Sequence, residues 1–284
     1  MRSRPYCAVD VFSDRSLRGN PLAVVLDATG LETARMQAFA RWTNLSETAF
    51  LLPPQDPRAD YCVRIFTPSR ELPFAGHPTL GSCHAWLGHG GTPRAAHEIV
   101  QQCGVGLVKL RRDGERLAFR APPMVRAEVG TAQLRAYLAA LRLRGDQVQH
   151  AQQLDNGPRW IGLLLDSART VREIEPDHEA LARLGLVGVI APIPTGAAQS
   201  DEADCDFLVR AFCAADNIPE DPVTGSLNAA LAQWLIADGL APSQYRVAQG
   251  ARVHRAGRVH IHALAEDIWV GGACVPCIDG RVVL

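Results

Sequence analysis

Two short segments constrain this chain more than anything else in its sequence. His77-Pro-Thr-Leu-Gly-Ser82 and Asp221-Pro-Val-Thr-Gly-Ser226 lie 144 residues apart and share three of six residues. Each opens the most apolar helical stretch of its half. Pro, Gly and Ser are all common at helix starts, so the identities weigh little without that shared position. In the second stretch, about Gly225 to Asp238, Leu227, Ala230, Leu231, Trp234 and Leu235 recur at i, i+3, i+4, i+7 and i+8, and Gly239 is a natural stop. In the first, a helix starts near Pro78 and stops at Gly88, Gly90 and Gly91, with Leu80, Cys83 and Leu87 on one face. The pattern suggests two similar domains, each with strands wrapped around a buried helix. At 284 residues there is room for two modest domains.

Short β-type runs surround these helices. Tyr6 to Phe12, Pro21 to Leu26, Ala49 to Leu52, Tyr61 to Thr67, Glu98 to Leu110 (bent at Gly104 and Gly106) and Arg116 to Arg120 read as strands. Later, Trp160 to Leu165, Leu186 to Ile193, Phe207 to Phe212, Tyr245 to Ala248 and Val259 to Leu264 do so too, with a final glycine-broken strand at Ile268 to Ile278. Leu31 to Thr43 and Thr131 to Leu143 read as further helices. A doubly wound parallel sheet needs a helix between most strands, and this chain has too few. Ala121-Pro122-Pro123 marks the boundary, giving domains 1–120 and 121–269.

Charge and cysteine usage exclude several function classes. Net charge is −1 and the arginines form no run, so nothing in the sequence attracts nucleic acid or an anionic membrane surface. No apolar run has the length of a spanning helix, and no signal-peptide core follows the N-terminus, so a cytoplasmic protein is expected. Eight cysteines scattered along the chain fit reduced thiols. Cys274-Val-Pro-Cys277 has no second pair and no metal-spaced histidines, so no metal is expected. Without a Walker A or a GxGxxG after a strand, no nucleotide cofactor is expected either.

Three side chains stand in unusual company. Glu47, in Trp42-Thr-Asn-Leu-Ser-Glu-Thr-Ala-Phe50, lies between a helix and an apolar strand, where desolvation suits a carboxyl to acid/base work. A helix-end glutamate satisfied by Ser46 or Asn44 is the plainer reading. His77 lies at the mouth of the first buried helix, where backbone N–H groups attract anions; a capping role is equally compatible. Asp221 opens the second segment, either as a cap before Pro222 or as a group facing a ligand.

Taken in order, Val9-Asp-Val-Phe12 with Gly19-Asn-Pro-Leu-Ala-Val24, Asn44-Leu-Ser-Glu-Thr48, Ile65-Phe-Thr-Pro68, Glu71-Leu-Pro-Phe-Ala-Gly-His-Pro-Thr-Leu-Gly81 and Glu220-Asp-Pro-Val-Thr-Gly-Ser226 resemble the phenazine-biosynthesis (PhzF-like) isomerase family along the whole chain. The resemblance implies an α+β, diaminopimelate-epimerase-like fold of two pseudo-symmetric domains, each a β-barrel-like sheet wrapped around a central helix, with residues 270–284 returning to the first domain and the active site in the cleft between the two. It implies Glu47 as the proton-shuttling acid/base, with His77 and Asp221 binding and polarising the substrate. Ser46, Gly76, Gly225 and Ser226 would line the substrate pocket. The family's type reaction converts trans-2,3-dihydro-3-hydroxyanthranilate to its keto isomer without a cofactor, and a homodimer is expected. Epimerases of this architecture use two thiols, one before each central helix; here those places fall at Ala75 and at Pro222 or Val223, and neither is cysteine. Two alternatives stand beside the isomerase: an epimerase or racemase of an amino-acid-like substrate, and a non-catalytic metabolite-binding protein.

Overall fold

A computed structural model describes residues 2–194, 196, 202–216 and 218–284. The chain folds as two compact units, one of residues 1–120 with 270–284 and the other of residues 121–269.

In the first unit, β1 (Ser3–Val11), β2 (Asn20–Val25), α1 (Thr33–Thr43), β3 (Glu47–Leu52), β4 (Tyr61–Phe66), β5 (Glu71–Leu72), α2 (Gly76–Gly88), β6 (Ile99–Cys103), β7 (Gly106–Asp113) and β8 (Arg116–Arg120) follow one another. β1 runs antiparallel to β2, β2 parallel to β3, β3 antiparallel to β4, β4 parallel to β6, and β6, β7 and β8 form antiparallel hairpins. The stretch expected as one bent strand at Glu98 to Leu110 is therefore two strands. Gly106 has φ +101, a left-handed conformation that favours glycine and turns the chain back on itself. Met36, Phe39 and Ala40 on the inner face of α1 pack with Val25, Phe50 and Phe66.

The sheet of this unit wraps α2, which is buried over most of its length because it carries almost no polar face. Contact with the strands is close: a Cβ on Gly81 would lie 2.6 Å from Leu22 Cδ2 and 2.9 Å from Val11 Cγ2. Only a residue without a side chain fits there.

The second unit holds β9 (Val125–Ala127), α3 (Thr131–Leu141), β10 (Val148–Asp155), β11 (Arg159–Leu165), α4 (Ala168–Glu173), α5 (His178–Leu184), β12 (Leu186–Pro192), β13 (Phe207–Cys213), β14 (Ile218–Asp221), α6 (Gly225–Ala237), β15 (Gln244–Gln249) and β16 (Gly257–Leu264). Its pairings repeat those of the first: β10 antiparallel to β11, β11 parallel to β12, β12 antiparallel to β13, β13 parallel to β15, β15 antiparallel to β16. In each unit a short strand, β5 or β14, pairs antiparallel with its predecessor and leads into the buried helix. Here the glycine lies on the strand side, since a Cβ on Gly188 would lie 2.4 Å from both Leu227 methyls. β10 escaped the sequence reading because its Gln149, Gln152 and Gln153 break the apolar pattern.

β17 (Asp267–Gly272) and β18 (Cys274–Val283) replace the single final strand expected; the break falls at Ala273, just after Gly271-Gly272. β18 pairs with β1 along its length, from Ser3↔Val283 to Val11↔Cys274.

The structural repeat is not the one the two similar segments suggested. α2 begins at Gly76 and α6 at Gly225, an offset of 149 residues, and each helix is 13 residues long. In that register Glu71-Leu-Pro73-Phe-Ala-Gly76 matches Glu220-Asp-Pro222-Val-Thr-Gly225, and His77 matches Ser226 rather than Asp221. The wider motif is physical. Arg64 of β4 holds Glu71 bidentately at 2.7 and 2.6 Å and lies over the Phe66 ring at 5.1 Å. Arg210 of β13 holds Glu220 at 3.0 and 2.8 Å and lies over Phe212 at 4.9 Å. Each pair pins the short strand that aims the N-terminus of a central helix.

Candidate active site

In the first unit, the turn after α1 passes through Asn44 in the left-handed conformation (φ 55) and feeds straight into β3, so Glu47 is the first residue of that strand. Thr43 and Thr48 hydroxyls, 3.1 Å apart, close the turn. Glu47 sits level with Leu22 of the parallel neighbour β2. Two residues earlier on β2 is Asn20, fully buried and paired across β1 with Val11.

His77 is the second residue of α2 and is buried. Its Nε2 lies 3.5 Å from Glu47 Oε2, longer than a hydrogen bond. Its Nδ1 lies 3.3 Å from Asn20 Nδ2. Ser46 Oγ in turn donates to Asn20 Oδ1 at 3.3 Å. Burial holds the His77 pKa down to about 3, with the Pro21 carbonyl pulling the other way. At neutral pH the ring is therefore uncharged, and its interaction with Glu47 is that of a neutral imidazole with a carboxyl group. Gly76, the first residue of α2, is buried beside it, where helix-start N–H groups favour an anion.

In the second unit, Asp221 ends β14, buried and paired with Ala211. Thr224 Oγ1 donates to its Oδ2 at 2.5 Å. The turn from Asp221 to Thr224 is held by Gln249. Its Nε2 donates to the Asp221 carbonyl at 3.1 Å and to Thr224 Oγ1 at 2.9 Å, and its Oε1 accepts from the Thr224 N–H and Asn228 Nδ2. Gly225 and Ser226, both buried, open α6, and the Ser226 carbonyl accepts from Asn156 Nδ2 at 2.9 Å.

The structure thus brings Glu47 within 3.5 Å of His77 and links Ser46 to His77 through Asn20; it groups Asp221 with Gly225 and Ser226 on the second unit. Asn20, Thr224 and Gln249 were not singled out as site residues. Asn20 carried a usable signal, because Gly19-Asn-Pro is one of the motifs; Gln249 carried none, lying 25 residues beyond its partner Thr224. The residue just before α6 is Thr224, not Pro222 or Val223, and it matches Ala75 before α2. Neither position is a thiol. All eight cysteines are free, Cys274 half-buried and Cys277 exposed, and among the described residues no three His, Cys, Asp or Glu side chains group to hold a metal.

Two compact units, each a sheet wrapped on a buried helix, define an epimerase-like fold. The solved structure of a probable proline racemase from Agrobacterium radiobacter shares this fold, at a TM-score of 0.63 and 15% identity over 99% of this chain and 93% of its own. A PhzF-family phenazine biosynthesis protein from Enterococcus faecalis aligns over 100% of both chains with a TM-score of 0.79 and 27% identity. The family model of phenazine biosynthesis-like proteins matches residues 9–280. The chain belongs to that family. Its relatives include antisense-enhancing sequence 1 of Schizosaccharomyces pombe, 32% identical over 99% of both chains. Another is the trans-2,3-dihydro-3-hydroxyanthranilate isomerase of Pseudomonas aeruginosa, 32% identical over 91% of this chain and 90% of that one.

Proposed function

We propose that this protein is a cofactor-independent isomerase in which Glu47 takes a proton from one carbon of a small carboxylate-bearing substrate and returns it to another carbon of the same molecule. The double bond shifts as the proton moves, and no atom is gained or lost. The observation that carries this reading is the Glu47–His77 pair at 3.5 Å, a single acid/base flanked by an uncharged ring. One carboxylate suits removal and return of hydrogen on one face of a substrate; inversion at a carbon calls for two opposed bases. Ala75 and Thr224 leave the two-thiol route without its groups.

His77 is assigned to hydrogen bonding rather than to proton transfer, because a ring with a pKa near 3 stays neutral through the working range. The helix-start N–H groups of α2, at Gly76 and His77, are assigned to a substrate carboxylate. Asp221, held by Thr224, binds and polarises substrate, with Ser46, Gly225 and Ser226 as further lining groups. Trans-2,3-dihydro-3-hydroxyanthranilate or a close relative is the lead substrate, supported by the relative that carries that name at 32% identity. We place the enzyme in a reducing compartment, the cytoplasm, in keeping with its eight free thiols, and expect it to act as a homodimer.

The test is direct. Trans-2,3-dihydro-3-hydroxyanthranilate is incubated with the wild type and with Glu47→Gln, and the ultraviolet spectrum is followed. A new chromophore with the wild type alone supports the reading; an unchanged spectrum with both removes the lead substrate. Loss of optical rotation without a new chromophore favours the epimerase instead.

A further inference from the structure

We propose that the open edge of β18 pairs antiparallel with the same strand of a second copy of this chain, centred on Gly280, so that Asp279 of each copy meets Arg281 of the other. The inference deepens the homodimer reading and does not depend on the proton chemistry.

β18 pairs with β1 along one of its edges. Residues 276–281 of the strand are all exposed. A strand so placed presents a row of unpaired N–H and C=O groups to any strand that can match it. Backbone alternation says which residues present them. The Arg2 N–H donates to the Leu284 carbonyl at 2.7 Å and the Leu284 N–H to the Arg2 carbonyl at 3.0 Å, so Leu284 faces β1. The register is unbroken from Ser3↔Val283 to Ala8↔Ile278. Val282, Gly280 and Ile278 therefore face β1 as well, and Val283, Arg281 and Asp279 turn their backbone groups outward. Pro276, with no N–H to offer, bounds the usable edge.

Charge then selects one two-fold register. Outward groups must meet outward groups, so odd-numbered residues oppose odd-numbered ones. A pair centred on Asp279 sets two carboxylates face to face, and one centred on Arg281 sets two guanidinium groups so; both are unfavourable. Centred on Gly280, Asp279 opposes Arg281 of the partner subunit, and the two-fold axis makes the contact twice. Ile278, 56% exposed in one copy, opposes Val282 of the partner subunit, also twice. The charged groups have capacity to spare. Arg281 spends two of its five N–H donors on the Ser3 hydroxyl and carbonyl, at 2.7 and 3.0 Å. Asp279 is 77% exposed, with only Oδ1 near His89, at 3.3 Å.

Gly280 carries the second observation. Within one copy nothing requires a glycine there, because a Cβ would meet nothing within 4 Å and its φ is not left-handed. A glycine in a strand also marks the close approach of another backbone, and the centre of the pair is such a place.

The experiment is sedimentation equilibrium on the wild type, Asp279→Arg, Arg281→Asp and the double exchange Asp279→Arg/Arg281→Asp. The wild type is expected to be a dimer. Each single exchange sets two like-charged pairs into the interface and is expected to weaken dimerisation about 100-fold. The double exchange restores opposite charges and is expected to return the dimer to within about tenfold of the wild type. The register is read separately with Gly280→Cys in a Cys277→Ser background, oxidised with copper phenanthroline. The two introduced thiols face each other in a non-hydrogen-bonded pair, with Cα atoms about 4.5 Å apart, and are expected to join the copies covalently. A monomeric wild type overturns both the interface and the homodimer reading. A dimer indifferent to the single exchanges, a double exchange that stays dissociated, or a Gly280→Cys variant that does not cross-link overturns the interface and leaves the homodimer reading standing. The cross-link remains informative should a charge exchange not fold.

Discussion

The guanidinium of Arg210 holds the Glu220 carboxylate at 3.0 and 2.8 Å, with side-chain exposures of 5% and 7%. The same pair in the first unit, Arg64 and Glu71, is 28% and 38% exposed. Burial decides what each is worth. Arg210→Met leaves a buried carboxylate unpaired and strips two donors from the Val171 and Ile174 carbonyls, so it should cost about 3–5 kcal/mol. Arg64→Met should cost about 1 kcal/mol or less. Urea denaturation of the two variants checks the difference, and equal costs would mean that burial is not what separates them.

His77 makes stability depend on acid. In the unfolded chain a histidine takes up its proton near pH 6.5, whereas burial delays this to about 3 in the fold. Between those values the unfolded state binds the extra proton, so stability is fully present above about pH 6.5 and falls as pH drops toward 3. The slope approaches about 1.4 kcal/mol per pH unit for one group. Denaturation at pH 7, 5 and 4 should show this slope in the wild type and a shallower one in His77→Gln. A parallel pair of curves would place the sensitivity elsewhere.

Gly81→Ala should destabilise, although alanine is the better helix former by about 1 kcal/mol. Its Cβ would lie 2.6 Å from Leu22 and 2.9 Å from Val11, and both belong to strands that cannot move without disturbing Asn20. Overpacking of this kind costs about 1–3 kcal/mol, which outweighs the helical gain. A melting temperature at or above that of the wild type would show that α2 has room to shift.

Thr224→Val keeps the shape of the cap but removes the hydroxyl that donates to Asp221 at 2.5 Å and accepts from Gln249 at 2.9 Å. Two buried groups lose a partner, for a cost of about 1–3 kcal/mol. Substrate binding should weaken with it, because Asp221 loses its fixed orientation. A variant with unaltered KM would separate Asp221 from the substrate.

Much of this fold was legible because the central helices leave so strong a mark. Leu227 through Leu235 show a stripe, and Gly239 ends the helix at Ala237 within two residues of the expectation. The repeat itself was misread by five residues. Pro-x-x-Gly-Ser is visible as letters in both halves, yet in the first half the glycine is Gly81, which serves packing inside α2, and in the second it is Gly225, which starts α6. The true register is carried by Arg64 with Glu71 and Arg210 with Glu220, partners seven and ten residues apart whose meeting depends on strand pairing. The same holds for the site. Glu47 and His77 could be nominated singly from their neighbours, but Asn20 and Gln249 become meaningful only when β2 and β15 bring them to those neighbours. The three-residue β9 and the glutamine-rich β10 offered no periodic signal at all.

Proton NMR in D2O tests the central claim most directly. Trans-2,3-dihydro-3-hydroxyanthranilate is mixed with the wild type and with Glu47→Gln, and the proton positions of substrate and product are followed together. The account predicts rapid conversion by the wild type, a proton lost at one carbon and a hydrogen gained at another of the same molecule, and a rate lower by about 10³-fold in Glu47→Gln. Conversion by Glu47→Gln at the wild-type rate would contradict it, as would deuterium exchange at a single carbon with no movement of the double bond.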